Sequence, residues 1–504
     1  MASAVRVVRN LYRDSVSLMR LSSDLARLPG ITRASAVMAS PANIALLREA
    51  ELCPGEIAAD ANDVIIVVAG NGETEMAHAL AVAQQALAAQ PAVASAVATA
   101  GVGPRSQVMA LAQAPNANLA LISTPGAYAA AEAEKALRLG LNVMLFSDNI
   151  ALAEEVALKR LARRRGLLLM GPDCGTAIID GVPLGFANAV RRGAIGCVAA
   201  SGTGLQQVTC LIHRLGAGIS QAIGTGGRDL AADVGGRSML HGIDVLTADP
   251  DTKVMVLISK PPAAPVAARV LAAAQRTGKP VVVAFLGATI GDAPPFLHAA
   301  TTLEEAAHVA VALASARPLP QPRAAPATSA GAGQGRRFIR ALYSGGTFCY
   351  EACLLLKQAR LSVHSNAPVD AGDRLPDPWT ARGHTLLDLG DDVFTRGRPH
   401  PMIDHRLRNE RLLREAADAE VRVVLFDVVL GYGAHRDPAA EMDATLHRAR
   451  AAAPDVRFVA FVCGTDQDPQ GLARQEASLR AAGVVLADSN AAAVRLAAQL
   501  ASEA

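Results

Sequence analysis

The chain has 504 residues, of which 51% are hydrophobic and 19% charged, so it is long enough for several domains and too apolar to be intrinsically disordered. A formal net charge of +2, with no basic stripe interleaved with aromatic residues, excludes a nucleic-acid-binding protein of the usual kind. No run approaches the roughly 18 apolar residues of a membrane span and no secretory signal pattern opens the sequence, so we expect a cytoplasmic protein.

Residues 1–95 are predicted to form a small α/β sandwich. Short apolar runs, beginning at 5–8, alternate with helical patterns such as the one from Ser15, and the order resembles β-α-β-β. Asp14 is suited to cap that helix. Because no combination of residues here indicates catalysis, we interpret the segment as a docking or regulatory domain.

Two βαβ units are predicted next, over 96–190 and 191–316. Apolar runs at 119–122, 142–146 and 167–170, and then at 194–200, 217–223, 254–258 and 280–285, alternate with helical patterns, which is typical of parallel sheets covered on both faces. The strands of the second unit end in serine, glycine or lysine. Ser201, Gly224 and Lys260 are therefore expected at the carboxyl edge of the sheet, where open α/β sheets bind ligands.

A linker is predicted at 317–335, where four prolines and an alanine- and glycine-rich run break all periodicity. Residues 336–504 then alternate strands and helices again, as a third unit of the same kind. Its opening repeats that of the unit before it.

The two most informative features are serine- and glycine-rich turns that follow strands and open helices. Such a turn aims free backbone N–H groups and the positive end of the helix dipole at an anion, such as a phosphoryl group or a carboxylate. The alternative is that each serine is only an N-cap. The two turns are Ser201-Gly202-Thr203-Gly204 and Ser344-Gly345-Gly346-Thr347.

Lys260 and Arg228 are the cations expected to face this anion, and we predict catalytic roles for both. Arg228 could instead form a surface ion pair with Asp229. The glycines before it are expected either to approach the ligand or to allow a tight turn with positive φ. They are Gly224, Gly226 and Gly227.

The seven cysteines are odd in number and scattered without a C-x-x-C pair, which indicates reduced thiols. Cys174 has no general base beside it in the sequence, so a packed thiol is favoured over a nucleophile. No regular spacing of ligands predicts a metal site.

Several motifs together resemble one family. Segments 170–179, 198–204, 223–229 and 249–262 are similar to the alpha subunit of succinyl-CoA synthetase, and 388–392, 425–433 and 463–466 to the C-terminal domain of its beta subunit. With 14–19 and 41–43, they make the chain resemble the FdrA family of acyl-CoA-synthetase-like proteins from end to end. The resemblance implies a Rossmann-like CoA-binding-type domain over 96–190 and two flavodoxin-like ligase domains over 191–316 and 336–504.

The resemblance also implies a site. In succinyl-CoA synthetases two helix N-termini face a phosphorylated histidine. The resemblance places these two helix N-termini at Ser201–Thr203 and at Gly431-Tyr432-Gly433 of this chain. It leaves the turn at 344–347 without a matched role. CoA binding stays open; its contacts would include Ser123, Thr124, Pro125 and Pro172.

Three departures from the ligases limit what can be carried over. No histidine occupies the loop after the strand that ends at Phe285, Lys260 stands where the ligases have an acid, and the glycine-rich turn that opens the ligase CoA domain has no clear counterpart before Leu119. There is also neither an ATP-grasp domain nor a P-loop. A nucleotide-driven ligation would need another subunit.

FdrA proteins are thought to form one subunit of an oxamate carbamoyltransferase in allantoin breakdown, and this activity is the predicted function. It moves a carbamoyl group between oxamate nitrogen and phosphate, which needs orientation and charge stabilisation rather than a covalent intermediate. The expected partners are other subunits of a hetero-oligomer and small anions, namely phosphate or carbamoyl phosphate and oxamate or oxalurate. An NDP-forming acyl-CoA ligase subunit with a displaced histidine and a non-catalytic metabolite-binding scaffold remain alternatives.

Overall fold

The computed structural model describes residues 3–89, 103–290, 296–321 and 335–502, apart from 51, 53, 54, 56 and 397. In those residues no helix is both long enough and apolar enough to cross a bilayer.

The N-terminal unit is a three-stranded antiparallel sheet, in the order β1-β3-β2, with helices on both faces. The central strand is almost wholly buried, because α1 and α3 cover one face and α2 the other. Asp14 caps α1 by accepting from the Ser17 amide, as predicted. The elements are β1 (Ser3–Val8), α1 (Ser15–Ala26), β2 (Ile31–Met38), α2 (Pro41–Glu49), β3 (Val64–Gly70) and α3 (Glu73–Ala89).

A small parallel sheet of three strands follows, in the order β4-β5-β6. Its strands are short, and α5 and α6 pack on it through alanine and leucine. The elements are α4 (Gln107–Gln113), β4 (Leu119–Ile122), α5 (Gly126–Arg138), β5 (Asn142–Leu145), α6 (Leu152–Arg165) and β6 (Leu169–Met170).

The next sheet has seven strands in the order β13-β12-β11-β9-β10-β7-β8. Strands β9 to β13 are parallel, and the hairpin β7–β8 is added antiparallel at one edge, so this sheet takes in strands that precede residue 190. The elements are β7 (Thr176–Ile179), β8 (Val182–Gly185), β9 (Arg192–Ala199), α7 (Gly202–Arg214), β10 (Ile219–Gly224), α8 (Arg237–Ala248), β11 (Val254–Ser259), α9 (Ala264–Gln275), β12 (Val281–Phe285), β13 (Leu297–Ala299) and α10 (Leu303–Ala314).

The C-terminal sheet has six parallel strands in the order β15-β16-β14-β17-β18-β19. The elements are β14 (Phe338–Tyr343), α11 (Gly346–Gln358), β15 (Val363–Ser365), β16 (His384–Asp388), α12 (Asp392–Thr395), α13 (Arg406–Ala417), β17 (Val421–Val429), α14 (Pro438–Ala452), β18 (Arg457–Cys463), α15 (Leu472–Ala481), β19 (Val485–Ala487) and α16 (Asn490–Ser502). The predicted α/β class with parallel sheets is confirmed.

One hydrophobic core joins the two large sheets. Helices α7 and α10 of the seven-stranded sheet pack against α11 and α16 of the six-stranded one, through side chains such as Leu205, Phe348 and Val494. Full burial of one such side chain stabilises the fold by about 1.5–3 kcal/mol. Because α7 and α11 both start at the carboxyl end of a strand, this packing brings their N-termini together.

Candidate anion-binding site

The N-termini of α7 and α11 meet directly. The Ser201 and Thr347 hydroxyls are 2.7 Å apart, and Ser201 also accepts from the Gly204 amide at 2.9 Å. A β-carbon built on Gly345 would lie only 2.3 Å from Thr203 Cγ2, so this close approach requires glycine. We call residues 201–204 and 344–347 the opposed helix tips.

The dipoles of two helices point their positive ends into this contact. Ser201 caps α7, whereas Gly345, which caps α11, has no side chain to accept from the first-turn amides. Four amides at each helix N-terminus lack intrahelical partners. The opposed tips therefore form an electropositive site built from backbone groups.

Ser344 supports the site from behind. Its amide donates to Asp427 Oδ1 at 2.8 Å, and its hydroxyl accepts from Arg408 at 3.2 Å. Arg408 and Asp427 are fully buried and paired at 3.5 Å. The Ser344 side chain is thus engaged by a buried ion pair, and of the predicted residues 344–347 only Thr347 extends its hydroxyl to the other tip.

Lys260 reaches the site from the seven-stranded sheet. Ala199 pairs with Ile258 in the β9–β11 register, so Ser201 and Lys260 both follow the same edge by two residues. Lys260 Nζ lies 3.1 Å from a β-carbon built on Gly346 and 5.7 Å from the centre of the Tyr350 ring. Lys260 therefore lies at the α11 tip, and its role toward an anion stays a prediction.

Asp388 approaches the same point from the six-stranded sheet. It ends β16, where the register pairs it with Tyr343, the residue before the α11 tip. Its Oδ2 lies 2.6 Å from the β-carbon built on Gly346. Burial raises the pKa of the Asp388 carboxyl to about 6, and the Lys260 charge opposes that rise.

His400 lies beside Asp388. Its Nε2 is 2.9 Å from a β-carbon built on Gly390, and its ring centre is 5.9 Å from that of Phe186. Nδ1 accepts from the Met402 amide, so the ring proton is assigned to Nε2. Because burial lowers the pKa of His400 to about 4, the ring is neutral near pH 7 and presents Nε2 as a donor.

Sequence reasoning missed Asp388 and His400 as site residues. A signal was present for Asp388: it ends an apolar strand, and a glycine, Gly390, follows two residues later. No local pattern marks His400, which lies in an irregular segment and reaches the site only through tertiary packing.

Arg228 makes its contacts elsewhere. Its guanidinium donates to the Ile150 carbonyl at 2.8 Å and pairs with Glu155 at 3.0 Å. Asp229 is fully buried and pairs with Lys159 at 2.7 Å, so the alternative of an Arg228–Asp229 surface pair is wrong. Arg228 joins the small sheet to the seven-stranded sheet, and none of its contacts within the described part of the chain is to the opposed helix tips.

The glycines of the 224–227 turn serve backbone packing. A β-carbon on Gly224 would lie 2.5 Å from the Thr176 carbonyl oxygen. A β-carbon on Gly226, where φ is +85°, would lie 2.1 Å from the Pro172 carbonyl oxygen. Gly227 is exposed, with Asp173 at an ordinary 3.5 Å. The tight-turn alternative with positive φ accounts for Gly226, which packs against Pro172, whereas Gly224 allows a close approach to the backbone at Thr176.

The Gly431-Tyr432-Gly433 turn does not open a helix, because α14 starts only at Pro438. The Gly431 amide donates to the Gln470 side chain at 3.1 Å and the Tyr432 amide to the Ala187 carbonyl at 3.2 Å. The prediction that this turn forms the second helix tip is therefore wrong. Its amides are consumed by contacts with neighbouring loops, and the second tip is 344–347.

The turn considered for CoA ends β4. Thr124 accepts from the Ser147 hydroxyl at 2.5 Å through its carbonyl, while its own buried hydroxyl oxygen has no partner among the described residues. Ser123 hydrogen-bonds to Tyr12 of the N-terminal unit. Pro125 is the N-cap of α5, and no side chain caps the first turn of this helix. An unpartnered hydroxyl beside an uncapped helix N-terminus fits a polar part of such a ligand.

Cys174 is a packed thiol, as favoured from the sequence. It is buried, it contacts the carbonyl oxygens of Thr176 and Gly224, and burial raises its pKa to about 12. A thiol of that pKa is not a nucleophile near pH 7.

Three family models match the chain. They are "AllF, heavy metal-associated domain" over residues 1–101, "CoA binding domain" over 191–287 and "CoA-ligase" over 342–500. The last begins just before the α11 tip. In 1–101 the sequence has one cysteine, Cys53, outside the described residues, and one histidine, His78. Within the described ranges no group of three side chains could hold a metal ion, so these residues do not fit a heavy metal.

Curated relatives match from end to end or in part. YahF of Escherichia coli (strain K12) is 42% identical over 503 residues, 97% of each chain. The mitochondrial succinate–CoA ligase [ADP-forming] subunit alpha-2 of Trichomonas vaginalis is 32% identical over 187 residues, 36% of this chain and 58% of that one. The dinucleotide-forming acetyl-coenzyme A synthetase 1 of Ca. Korarchaeum cryptofilum, a solved structure, has 15% identity and a TM-score of 0.32 over 76% of this chain and 82% of that one.

Proposed function

The chain belongs to the FdrA-type family of acyl-CoA-synthetase-like proteins, and from this premise we propose that it is a subunit of an oxamate carbamoyltransferase. The reaction converts oxalurate and phosphate into oxamate and carbamoyl phosphate. The match to the AllF domain supports a place in allantoin breakdown, and the succinate–CoA ligase relative, itself a subunit, supports partner subunits.

One observation carries the proposal: two helix N-termini and Lys260 converge on one point, and Lys260 occupies the sequence position at which the ligases carry the acid that holds their histidine. Backbone N–H groups and an ammonium suit phosphate as a substrate, and they also stabilise the negative charge that develops on a transferring carbonyl. Such a site acts by orienting two anions, and a direct attack needs no covalent enzyme intermediate.

A second candidate, an NDP-forming acyl-CoA synthetase subunit, is favoured by His400. This histidine lies beside the α11 tip, although the loop that carries the ligase histidine has none. In that case Ser123, Thr124 and Pro125 would hold part of CoA, which would supply the acyl-accepting thiol. The exposed edge at Gly202 leaves the α7 tip open to a partner subunit in either case.

The test uses the chain together with the subunits that co-purify with it. One sample receives oxalurate and labelled phosphate and a second receives labelled ATP. Carbamoyl phosphate is measured in the first, and acid-labile phosphate on the protein is measured in both. The carbamoyltransferase forms labelled carbamoyl phosphate and no phosphohistidine. Phosphohistidine formed from ATP, without carbamoyl phosphate from oxalurate, would establish the ligase instead. If neither product forms, the metabolite-binding scaffold is the remaining alternative.

A further inference from the structure

We propose that Asp388 carries the proton in this reaction: it takes the proton of the attacking hydrogen phosphate and delivers it to the oxamate nitrogen that leaves. This role rests on the proposed function. It assigns a catalytic residue that the sequence comparison with the ligases does not supply, because Lys260 replaces their acid.

The position of Asp388 is fixed by its neighbours. The Asn366 side chain accepts from the Asp388 amide and donates to its carbonyl, both at 2.9 Å. Asp388 Oδ1 accepts from the Gly390 amide at 3.0 Å. The other carboxyl oxygen, Oδ2, lies next to Gly346 at the α11 tip, beside Lys260. A proton acceptor thus lies where the helix dipole would attract the phosphate.

The proton balance of the reaction needs one group that first accepts and then donates a proton. An oxygen of hydrogen phosphate attacks the ureido carbonyl carbon, and a carbon–oxygen bond forms as the carbon–nitrogen bond breaks. The phosphate oxygen loses its proton, and the nitrogen must gain one to leave as the neutral amide of oxamate. Asp388 takes up the first proton and supplies the second, so no proton is gained or lost overall.

The other groups around Asp388 are less suited to this role. Lys260 is needed as a cation, His400 is neutral with a pKa of about 4, and burial raises the pKa of the Cys349 and Tyr350 groups above their usual values. Burial sets the pKa of Asp388 at about 6, close to neutral, where a group both accepts and donates efficiently. The remaining charged groups near it are Asp391 and Asp427, which both raise that pKa.

The position over Gly346 has a consequence for binding. An ionised Asp388 places a negative charge at the anion site, whereas the protonated form does not. Binding of an anion at the α11 tip should therefore weaken as the pH rises through about 6. Sulfate is the suitable probe, because it remains a dianion between about pH 5 and 8 and carries no proton to transfer.

The experiment compares wild type, Asp388→Asn and Asp391→Asn in the assembled complex. Asparagine keeps the volume and the acceptor for the Gly390 amide. Asp391→Asn is the comparison, because it removes a neighbouring charge from a residue that caps α12 through the Val393 amide. We expect Asp388→Asn to lose about 100-fold or more of the carbamoyl phosphate rate, as for removal of a general acid–base group. Its sulfate affinity should be retained and independent of pH. Wild type should lose affinity as the pH rises through about 6, and Asp391→Asn should show the same loss beginning at a lower pH, because the Asp391 charge raises the pKa of Asp388.

An Asp388→Asn complex that keeps its rate within about tenfold, or a wild-type sulfate affinity that does not change with pH, would overturn the role of Asp388. If the wild-type complex forms no carbamoyl phosphate, the proposed function fails and the proton transfer with it. The sulfate titration separates these failures, because it reports the charge at the α11 tip whether or not the complex turns over.

Discussion

At the scale of single residues, the site is held by short side chains with hydrogen-bonding hydroxyls. Ser201 serves both as the cap of α7 and as the partner of Thr347, and both residues are nearly buried. Ser344 is held by Arg408 and Asp427, a pair whose disruption would leave a buried charge unpaired, at a cost of about 3–5 kcal/mol. The hydroxyls thus fix the geometry, and the backbone amides and Lys260 are the groups that we propose to bind the anion.

Ser201→Ala is expected to lower the free energy of unfolding by about 1–2 kcal/mol, because a cap and a buried hydrogen bond are lost. It should also weaken sulfate binding, because the first turn of α7 is no longer held at the opposed helix tip. Chemical denaturation and calorimetric titration measure the two effects. Thr302→Ala is the matched control. It removes the hydroxyl that caps α10 by accepting from the Glu305 amide, and it should lower stability without changing sulfate affinity.

At the scale of elements, the site depends on how closely α7 and α11 approach. Both helices begin at a strand end and are buried by the same core, so their tips meet only if nothing larger than glycine occupies position 345. A substitution that separates the tips changes the anion site without touching any charged group.

Gly345→Ala should therefore destabilise the protein by about 1–3 kcal/mol, the usual cost of overpacking, since its β-carbon would overlap Thr203 Cγ2 at 2.3 Å. Adding Thr203→Ala removes the overlapping atoms and should restore part of that loss in a double-mutant cycle. Gly372→Ala, at an open position, should be close to neutral. Equal stabilities of the Gly345→Ala single and double variants would contradict the contact.

Glu351 connects the same elements through its carboxyl, which accepts from the Leu303 amide of α10 and the Asn490 side chain of α16. Burial raises the pKa of Glu351 to about 7, above the 4.5 of an unperturbed carboxyl. The unfolded chain then loses its proton at a lower pH than the folded one, so stability is full below about pH 4.5 and falls as the pH rises to about 7.

Melting temperatures between pH 4.5 and 8 should consequently decline, and Glu351→Gln should flatten part of that decline. Asp388, whose pKa is raised in the same direction, contributes to the remaining slope. Glu305→Gln, at a partly exposed position of α10, is the comparison, and it should leave the profile of the wild type unchanged. A Glu351→Gln profile parallel to the wild type over this range would be evidence against the assignment.

At the scale of the whole molecule, the N-terminal unit is docked onto the ligase-like part by polar contacts. Arg20 donates to the Tyr432 carbonyl at 2.7 Å, and Arg27 pairs with Glu441 at 3.2 Å and contacts His435. The segment that these arginines hold includes the Gly431–Gly433 turn, whose amides also bind the loop at Ala187 and Gln470. The division of the chain at 95, 190, 316 and 335 remains our proposal, with the N-terminal unit as a docking domain.

The double variant Arg20→Ala with Arg27→Ala should loosen this docking, and high salt should mimic it because exposed ion pairs are screened. Hydrogen exchange of the backbone over 432–441 reports the change directly and should increase several-fold. Arg6→Ala breaks a contact to Gln84 inside the N-terminal unit and should leave that exchange unaltered. Unchanged exchange in the double variant would show that other contacts hold the unit.

Much of this protein could be predicted from its sequence alone, because the signals are local. Apolar runs of strand length, helical periodicity and turn glycines gave the α/β class, the parallel sheets and the carboxyl-edge positions of Ser201 and Lys260. The composition of the turn at 344–347 also marks it as a helix start, independently of the family resemblance.

Only the tertiary structure decided which of these parts face one another. The 201–204 turn meets 344–347 and not 431–433, Arg228 is occupied by Glu155, and Asp388 and His400 join the site from distant segments. Periodicity fixes the buried face of each helix but not its partner. That choice is made when α7 and α11 bury their apolar faces in one core across more than a hundred residues of chain.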